Sequence, residues 1–170
     1  IILKWAQSSD GKISAGDEKR VFISNEFTNR LVHKWRREEA AILVGTNTAL
    51  LDDPALTARL WPGNNPIRLV IDMDLKLPSS LQLFDGTVNT IGFNQHKQEI
   101  GEMLSFYKID KDQKFIPQFL NALYKLQLQS VIVEGGTKLL QSFIDENAWD
   151  EARVITNEDF YTQNNTLNFL

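Results

Sequence analysis

The sequence predicts an α/β domain with a mostly parallel central sheet flanked by helices. Short apolar runs recur along the chain, amphipathic helical stretches lie between them, and most of the apolar runs are continuous rather than alternating. Continuous apolar strands are typical of a sheet that is covered on both faces, and helices are the usual connection between parallel strands. Ligands of such sheets usually bind beyond the carboxyl ends of the strands.

Six apolar runs are predicted to form strands. They are Ile1–Ala6, Ala41–Gly45, Ile67–Asp72, Val88–Phe93, Ser130–Glu134 and Ala152–Thr156. A first helix is predicted to begin after Ser24 as its N-cap, because the apolar residues Phe27, Leu31 and Trp35 then repeat at four-residue spacing and form one stripe.

Two further helices follow from similar stripes. Pro117 is tolerated in a first helical turn, ahead of Phe119, Leu120, Leu123 and Leu126, and another stripe comprises Leu139, Leu140, Phe143 and Ile144. The polar stretch Asp10–Arg20 and the Pro- and Gly-containing stretch Trp61–Pro66 are predicted to be loops.

Composition excludes several classes of function. The 170 residues carry 18 Lys and Arg against 22 Asp and Glu, a net charge of −4, which offers no global attraction to nucleic acid or to an anionic membrane. No segment has the length of a membrane span, and no signal peptide is visible. The chain has no cysteine, and His33 and His96 are not in a ligand-type spacing, so we expect no metal site.

A glycine turn after one predicted strand is the most informative motif. Glu134 ends the strand, Gly135 and Gly136 follow, and Thr137 opens a helical pattern. Such a turn exposes backbone N–H groups at a helix start, where the dipole favours anions. Two interpretations stay open: a phosphate or dinucleotide site, or a tight strand-to-helix turn with a solvated Glu134.

A second turn has the same layout. The strand Ala41–Gly45 is followed by Thr46 and Thr48 at another helix start. Two such turns on neighbouring strands would form a cleft lined by N–H donors. Ordinary helix capping by Thr46 or Thr48 is the alternative.

The charged residues near these turns could have a structural role or could contact a ligand. Asp52 and Asp53 face the negative end of a short helix, and Pro54 is predicted to hold Asp53 extended, so a ligand role competes with a surface turn. Lys4 lies in an apolar strand and needs a partner or an exposed sheet edge. A helical wheel places Arg36 about 140° from the apolar stripe and therefore in solvent. Arg59, in a loop, is solvated by default.

Taken together, the motifs resemble the reductase domain of riboflavin biosynthesis. They keep the order of that family and are Lys4–Ile13, Phe22–Ser24, Trp35–Arg36, Ala41–Thr48, Asp52–Arg59, Pro66–Asp72 and Glu134–Thr137. The resemblance implies a dihydrofolate-reductase-like fold. It also implies NADPH-dependent reduction of 5-amino-6-(5-phosphoribosylamino)uracil, with hydride delivered to ribose C1′ to give the ribitylamino product.

The resemblance also implies roles for particular residues. Substrate contacts fall on Lys4, Arg36, Leu56, Arg59 and Glu134, of which Lys4 and Glu134 are the catalytic candidates. Arg36 and Arg59 suit the 5′-phosphate, since a guanidinium forks onto phosphate oxygens. For Arg36 we follow the substrate contact that the resemblance implies rather than the solvent-exposed position that the helical wheel gives. Cofactor contacts fall on Ala6, Phe22, Thr48, Asp52, Gly136, Thr137, Lys138, Leu139, Leu140, Gln141 and Ser142. No general acid is assigned.

The wider context is also an expectation at this point. The chain begins in a strand without Met, so we expect residues 1–170 to be a single reductase domain excised from a longer chain and open to truncation at both ends. The resemblance implies a cytoplasmic homodimer and an N-terminally fused zinc deaminase domain that this chain lacks. A stand-alone reductase, a related NADPH reductase with another substrate and a non-catalytic nucleotide-binding module are the alternatives.

Overall fold

The computed structural model describes residues 1–13 and 25–159, and its centre is a seven-stranded sheet. The strands are β1 (Ile2–Ser8), β2 (Ala41–Val44), β3 (Ile67–Ile71), β4 (Thr90–Asn94), β5 (Leu104–Lys108), β6 (Val131–Val133) and β7 (Glu151–Asn157). Their spatial order is β5-β4-β3-β2-β6-β1-β7, and all neighbouring pairs are parallel. The predicted α/β fold with a mostly parallel sheet is confirmed.

Helices cover the two faces of the sheet. They are α1 (Glu26–Glu38), α2 (Thr46–Asp52), α3 (Phe115–Lys125) and α4 (Thr137–Asp145), and a 3₁₀ turn lies at Gln82–Phe84. The predicted stripes of α3 and α4 bury Phe119 and Phe143, whose rings meet edge to face with centroids 5.9 Å apart. None of the described helices has the length and apolar content needed to cross a bilayer.

The first helix differs from its prediction. It begins at Glu26 with Asn25 as N-cap, and Asn25 and Thr28 form a reciprocal capping box with N···O distances of 2.9 Å. The predicted apolar stripe is wrong for Phe27, which is 82% exposed, and for Leu31, which is 38% exposed, whereas Trp35 packs against the core. The buried positions are Val32 and His33, so the helix turns a mixed face inward, and that face includes Arg36.

The outermost strand, β5, was missed by the sequence prediction. Leu104–Lys108 is short and half-buried and ends in an exposed lysine, as expected for a strand with a neighbour on one side. It is held against β4 by contact between Phe93 and Tyr107, whose ring centroids are 5.6 Å apart. The sheet consequently extends one strand further from the centre than the sequence indicates.

The strand order places the conspicuous motifs side by side. Because β6 lies between β2 and β1, Glu134 and Gly45 leave the sheet at adjacent carboxyl ends, and Lys4 projects from the next strand. The backbone N–H of Gly45 donates to the carbonyl of Gly135 at 2.8 Å, which joins the two glycine turns directly. This edge of the sheet is where ligands of open parallel α/β folds bind.

Candidate active site

Two adjoining clefts occupy the carboxyl ends of the central strands. We call the first the charged pocket; it measures about 390 Å³ and collects Lys4, His33, Arg36, Thr48, Asp52, Leu56, Arg59 and Glu134. We call the second the glycine cleft; it measures about 350 Å³ and is lined by Gly45, Thr46, Asn47, Ile71, Gly136, Thr137, Lys138 and Leu139. All five residues assigned to the substrate by resemblance line the charged pocket.

A buried ion network fills the floor of the charged pocket. The guanidinium of Arg36 forks onto Glu134, with Nε donating to Oε1 at 2.7 Å and Nη2 to Oε2 at 2.6 Å. The ammonium of Lys4 lies 3.7 Å from Oε2 of the same carboxylate. Lys4 therefore has a buried partner, and β1 lies between β6 and β7, so exposure on a sheet edge does not explain this lysine.

The network keeps Glu134 ionised. Burial alone would raise the pKa of this carboxyl, but the charges of Lys4 and Arg36 and the hydrogen bonds from Arg36 outweigh it and lower the pKa to about 2. At neutral pH Glu134 is thus a carboxylate that accepts hydrogen bonds. It does not carry a proton to donate.

The position of Arg36 corrects the expectation from the helical wheel. The wheel placed its side chain in solvent, yet the side chain is 13% exposed and faces the pocket. Its fork is engaged by Glu134, and Nη1 donates to the carbonyl of Thr57 at 3.1 Å. Arg36 therefore orients the carboxylate and the neighbouring loop in this conformation, whereas Arg59 is exposed at the rim.

The loop that follows α2 carries two residues in the left-handed region. Asp53 has φ 38° and Leu56 has φ 47°. The extended conformation predicted for Asp53 is wrong, because Asp53 is the C-cap of α2 and is held by Gln82, whose backbone N–H donates to Oδ1 at 2.7 Å. Leu56 is buried in the core beneath the pocket, so its side chain compensates the cost of this backbone conformation.

The glycine cleft is formed by the start of two helices. The N-caps of α2 and α4 are Gly45 and Gly136, and neither helix has a side chain that caps it. Thr46 instead donates its hydroxyl to the carbonyl of Ile71 at 2.6 Å. Capping by this threonine therefore does not explain the turn at Gly45. A Cβ added to Gly136 would stand 3.1 Å from Oγ1 of Thr48, which is tighter than most contacts.

The predicted cofactor residues fall into three groups. Gly136, Thr137, Lys138 and Leu139 line the glycine cleft, and Thr48 and Asp52 line the charged pocket. Leu140 is 1% exposed within the hydrophobic core, so burial argues against a contact there. Ala6, Gln141 and Ser142 are half-buried outside both linings, and Phe22 lies outside the described residues, as do Asp17–Arg20.

His33 is an ionisable residue of the charged pocket that was not predicted as a site residue. His33 lines the charged pocket and is buried, although the sequence analysis weighed this residue only as a metal ligand. Burial, then the charges of Arg36 and Arg59, lower the pKa of this imidazole to about 4. Its four- and three-residue spacings to Asn29 and Arg36 are the signal that would have placed it on the same face of α1. In the described part of the chain, no His, Asp and Glu side chains group as a metal site.

A larger cleft lies elsewhere and lacks comparable chemistry. It measures about 1190 Å³ and opens at the amino ends of the strands around Ile1, Tyr124 and Trp149. Its charged side chains, Lys125 and Asp150, are exposed rather than buried. Size alone therefore does not identify the active site, and the buried charges favour the charged pocket.

Comparison with known proteins gives one consistent family. The family model described as the RibD C-terminal domain matches residues 1–157. The chain is 32% identical over 163 residues to the riboflavin biosynthesis protein RibD of Aquifex aeolicus, covering 91% of this chain and 45% of that protein. It is 29% identical over 170 residues to the 2,5-diamino-6-ribosylamino-4(3H)-pyrimidinone 5′-phosphate reductase of Archaeoglobus fulgidus, covering 91% and 78%.

A solved structure is similar in fold as well as in sequence. It is a diaminohydroxyphosphoribosylaminopyrimidine deaminase/5-amino-6-(5-phosphoribosylamino)uracil reductase from Thermotoga maritima. The TM-score is 0.74 at 31% identity, over 85% of this chain and 41% of that one. This chain thus spans less than half of the Aquifex and Thermotoga proteins and about three quarters of the archaeal reductase.

Proposed function

We propose that this chain, which belongs to the RibD C-terminal domain family, is a reductase of riboflavin biosynthesis. Relatives that match most of the chain are named as reductases of a ribosylamino-pyrimidine phosphate. The substrate proposed here is 5-amino-6-(5-phosphoribosylamino)uracil, and the product is the ribitylamino compound. The observation that carries the proposal is the buried Lys4–Glu134–Arg36 network. It lies in the charged pocket at the carboxyl ends of the central strands, and all three residues fall within the range that the family model matches.

The charge of the pocket suits a phosphorylated substrate. Three cations, Lys4, Arg36 and Arg59, face two carboxylates, Asp52 and Glu134, which leaves one excess positive charge. We assign the 5′-phosphate to Arg59, because its guanidinium lies at the exposed rim while that of Arg36 is engaged. A guanidinium binds phosphate oxygens in a bidentate manner at a rim as well as in a pocket.

The floor of the pocket provides the groups for reduction at ribose C1′. When the sugar ring opens, the bond between C1′ and the ring oxygen breaks, that oxygen takes a proton from the Lys4 ammonium, and C1′ becomes part of a protonated imine that a hydride reduces to the amine. Glu134, ionised and fixed by Arg36, would stabilise positive charge at that centre, and Lys4 is the nearby ammonium that can donate a proton. Glu134 is excluded as the acid near neutral pH by its low pKa.

We assign the glycine cleft to the phosphates of the nucleotide cofactor. Gly136 leaves space that a Cβ would crowd, and the uncapped start of α4 presents backbone N–H groups with a favourable dipole. We propose that Gly136, Thr137, Lys138 and Leu139 hold the phosphates of NADPH and that Thr48 contacts it where the clefts adjoin. NADPH, when bound, supplies the hydride that C1′ accepts.

The proposal also covers the oligomeric state and the domain organisation of the longer protein. The Thermotoga relative is named as both deaminase and reductase, and this chain corresponds to 41% of it. We propose a cytoplasmic homodimer that, in a longer form, carries an N-terminal zinc deaminase domain. Sedimentation of the purified chain with and without NADPH tests the dimer, and a monomer under both conditions would contradict it.

The experiment that tests the function is oxidation of NADPH with two pyrimidines. One is the deaminated uracil substrate and the other is its 2,5-diamino precursor, the compound class for which the archaeal relative is named. The proposal expects turnover with the uracil compound. Preference for the precursor would reassign the substrate within the pathway. Oxidation with neither, by a folded protein that binds NADPH, would leave the non-catalytic module as the better interpretation.

A further inference from the structure

A buried histidine faces the proposed substrate without a role in the proposed chemistry. His33 lies on α1 one turn before Arg36, is 6% exposed, and lines the charged pocket. Burial of an imidazole needs hydrogen-bond partners, and those of His33 are backbone groups of a single loop. The loop is the segment 57–60, which closes one side of the pocket.

Two side chains of α1 hold this loop. Nδ1 of His33 accepts a long hydrogen bond of 3.5 Å from the backbone N–H of Leu60, and its ring also hydrogen-bonds with the backbone of Thr57. Nη1 of Arg36 donates to the carbonyl of Thr57 at 3.1 Å. The bond from Arg36 reaches only the first residue of the loop, whereas His33 reaches both the first and the last.

Arg59 lies between these two anchor points. Its guanidinium is exposed and donates to Oγ1 of Thr57 at 3.3 Å, so the side chain leans back along its own loop at the pocket rim. Asn65 supports the loop from the other side, with Oδ1 accepting from the N–H of Ala58 at 2.8 Å. The backbone on both sides of Arg59 is thereby fixed, and its charge is presented from a defined position.

The protonation state of His33 agrees with this arrangement. Burial and the charges of Arg36 and Arg59 lower the pKa of His33, while Glu134 raises it, and the balance leaves the ring neutral near neutral pH. A neutral imidazole keeps the lone pair that Nδ1 needs to accept from Leu60. An imidazolium would lose this acceptor and would add a third cation beside the two arginines.

We propose that His33 is a positioning residue that fixes the loop 57–60 to α1 and so presents Arg59 to the phosphate of the substrate. The inference rests on the proposed function in one respect, because it takes Arg59 as the phosphate ligand. It goes beyond that function by assigning substrate affinity to a residue that need not touch the substrate.

The test compares His33→Leu with His33→Asn. The amide oxygen of Asn lies close to the position of Nδ1 and can accept from Leu60, whereas Leu fills space without an acceptor. For His33→Leu we expect the KM of the phosphorylated pyrimidine to rise about tenfold with kcat changed by less than about twofold. His33→Asn should recover most of the loss, and NADPH affinity should be unchanged in both variants.

A binding measurement separates this inference from the proposed function. Titration calorimetry with ribose 5-phosphate, and with ribose as the unphosphorylated control, needs no turnover. Wild type should bind ribose 5-phosphate more tightly than ribose, and His33→Leu should lose about tenfold of the affinity for the phosphate form only. Failure of wild type to oxidise NADPH would then remove the proposed function while this result stood.

Three outcomes would overturn the inference. One is no binding of ribose 5-phosphate by wild type. Another is equal affinity of wild type and His33→Leu for ribose 5-phosphate. The third is equal loss of ribose 5-phosphate, ribose and NADPH affinity in His33→Leu together with failure of His33→Asn to recover any of them, because that pattern describes a general collapse of the pocket.

Discussion

Glu134 shows how neighbouring charges set the protonation state of a buried side chain. Its sequence context suggested a carboxylate at a glycine turn, and the fold adds Arg36 from α1 and Lys4 from β1. These cations reverse the effect of burial and lower the pKa of Glu134 to about 2. Removing the charge from the carboxyl would leave two buried cations without their partner, which is more costly than removing an exposed ion pair.

We expect Glu134→Gln to lower kcat about 100-fold, since the amide cannot stabilise positive charge at the reacting carbon. Steady-state kinetics and NADPH titration measure this, and NADPH affinity should stay within about twofold of wild type. Glu134→Asp is the matched variant, because it keeps the charge while moving it, and it should be intermediate. Unchanged kcat and KM in Glu134→Gln would remove this residue from the site.

His33 predicts a pH dependence of stability. Its pKa is about 4 in the folded protein and 6.5 as an unperturbed group, because burial and the two arginines disfavour the charged ring. The unfolded chain therefore binds the proton first, so this contribution is fully present above pH 6.5 and is lost as pH falls toward 4. The upper bound of the total loss is about 3–4 kcal/mol.

Urea unfolding across this pH range measures the effect. His33→Leu should flatten the dependence, and His96→Gln, which alters the other histidine of the chain, should keep it. A wild-type stability that stays constant between the two pKa values would contradict the buried, neutral state of His33.

At the scale of elements, two glycine turns from different strands form one cleft. The hydrogen bond from Gly45 to Gly135 fixes the start of α2 beside the start of α4. Both turns were visible in the sequence, because glycine and hydroxyl residues follow apolar strands. Their proximity was a hypothesis that depended on strand order, and strand order is set by long-range pairing that local patterns do not encode.

Gly136→Ala tests the cleft. The added Cβ would stand 3.1 Å from Oγ1 of Thr48, so we expect NADPH to bind about tenfold more weakly, as measured by titration of tryptophan fluorescence. Gly92→Ala is the matched control, because its Cβ would meet the Phe106 ring at a similar 3.2 Å, away from both clefts. Equal NADPH affinities for wild type and Gly136→Ala would contradict the assignment of the cleft to the cofactor.

A buried arginine supports the loop that frames the charged pocket. Arg68 of β3 is fully buried and donates to the carbonyl of Gln82 at 3.1 Å and to Oδ1 of Asp85 at 2.8 Å. Gln82 in turn holds Asp53 at the end of α2. The 3₁₀ turn is therefore a link between the centre of the sheet and the loop that follows α2.

We expect Asp85→Asn to lower the free energy of unfolding by about 1–3 kcal/mol, because the charge of Arg68 loses its carboxylate. The hydrogen bond from Arg68 lowers the pKa of Asp85 to about 2 from 3.8, so the contribution is present above pH 3.8 and is lost as pH falls toward 2. Chemical denaturation near neutral pH measures the change. Asp112→Asn, at an exposed turn, should stay within about 0.5 kcal/mol of wild type, and an equal effect of both substitutions would contradict the account.

The elements that the sequence did not predict share a physical cause. The apolar spacing of Phe27 and Leu31 on α1 indicated a buried stripe, but the inward face of this helix also serves the pocket and carries polar residues. Similarly, β5 is a short, half-buried edge strand in which Phe106 and Tyr107 are adjacent, so it has neither a continuous apolar run nor a strict alternation. Burial in these two places is decided by tertiary contacts, so neither was accessible from periodicity alone.

At the scale of the whole molecule, the parallel order of the strands brings together residues from distant parts of the chain. Lys4, Arg36 and Glu134 come from β1, α1 and the end of β6, and they meet within hydrogen-bonding or ion-pair distance. Their grouping was predicted from resemblance to a family. The helical wheel places Arg36 in solvent, because the residue pattern of one helix does not show which other elements pack beside that helix.

We propose that a hydride from NADPH reaches ribose C1′ of the pyrimidine substrate in the charged pocket. The most direct measurement uses NADPH that carries deuterium at both positions of nicotinamide C4, with the product analysed by NMR and mass spectrometry. The account predicts one deuterium in each product molecule, on C1′ of the ribityl chain. A product without deuterium, or with deuterium in the pyrimidine ring, would contradict it.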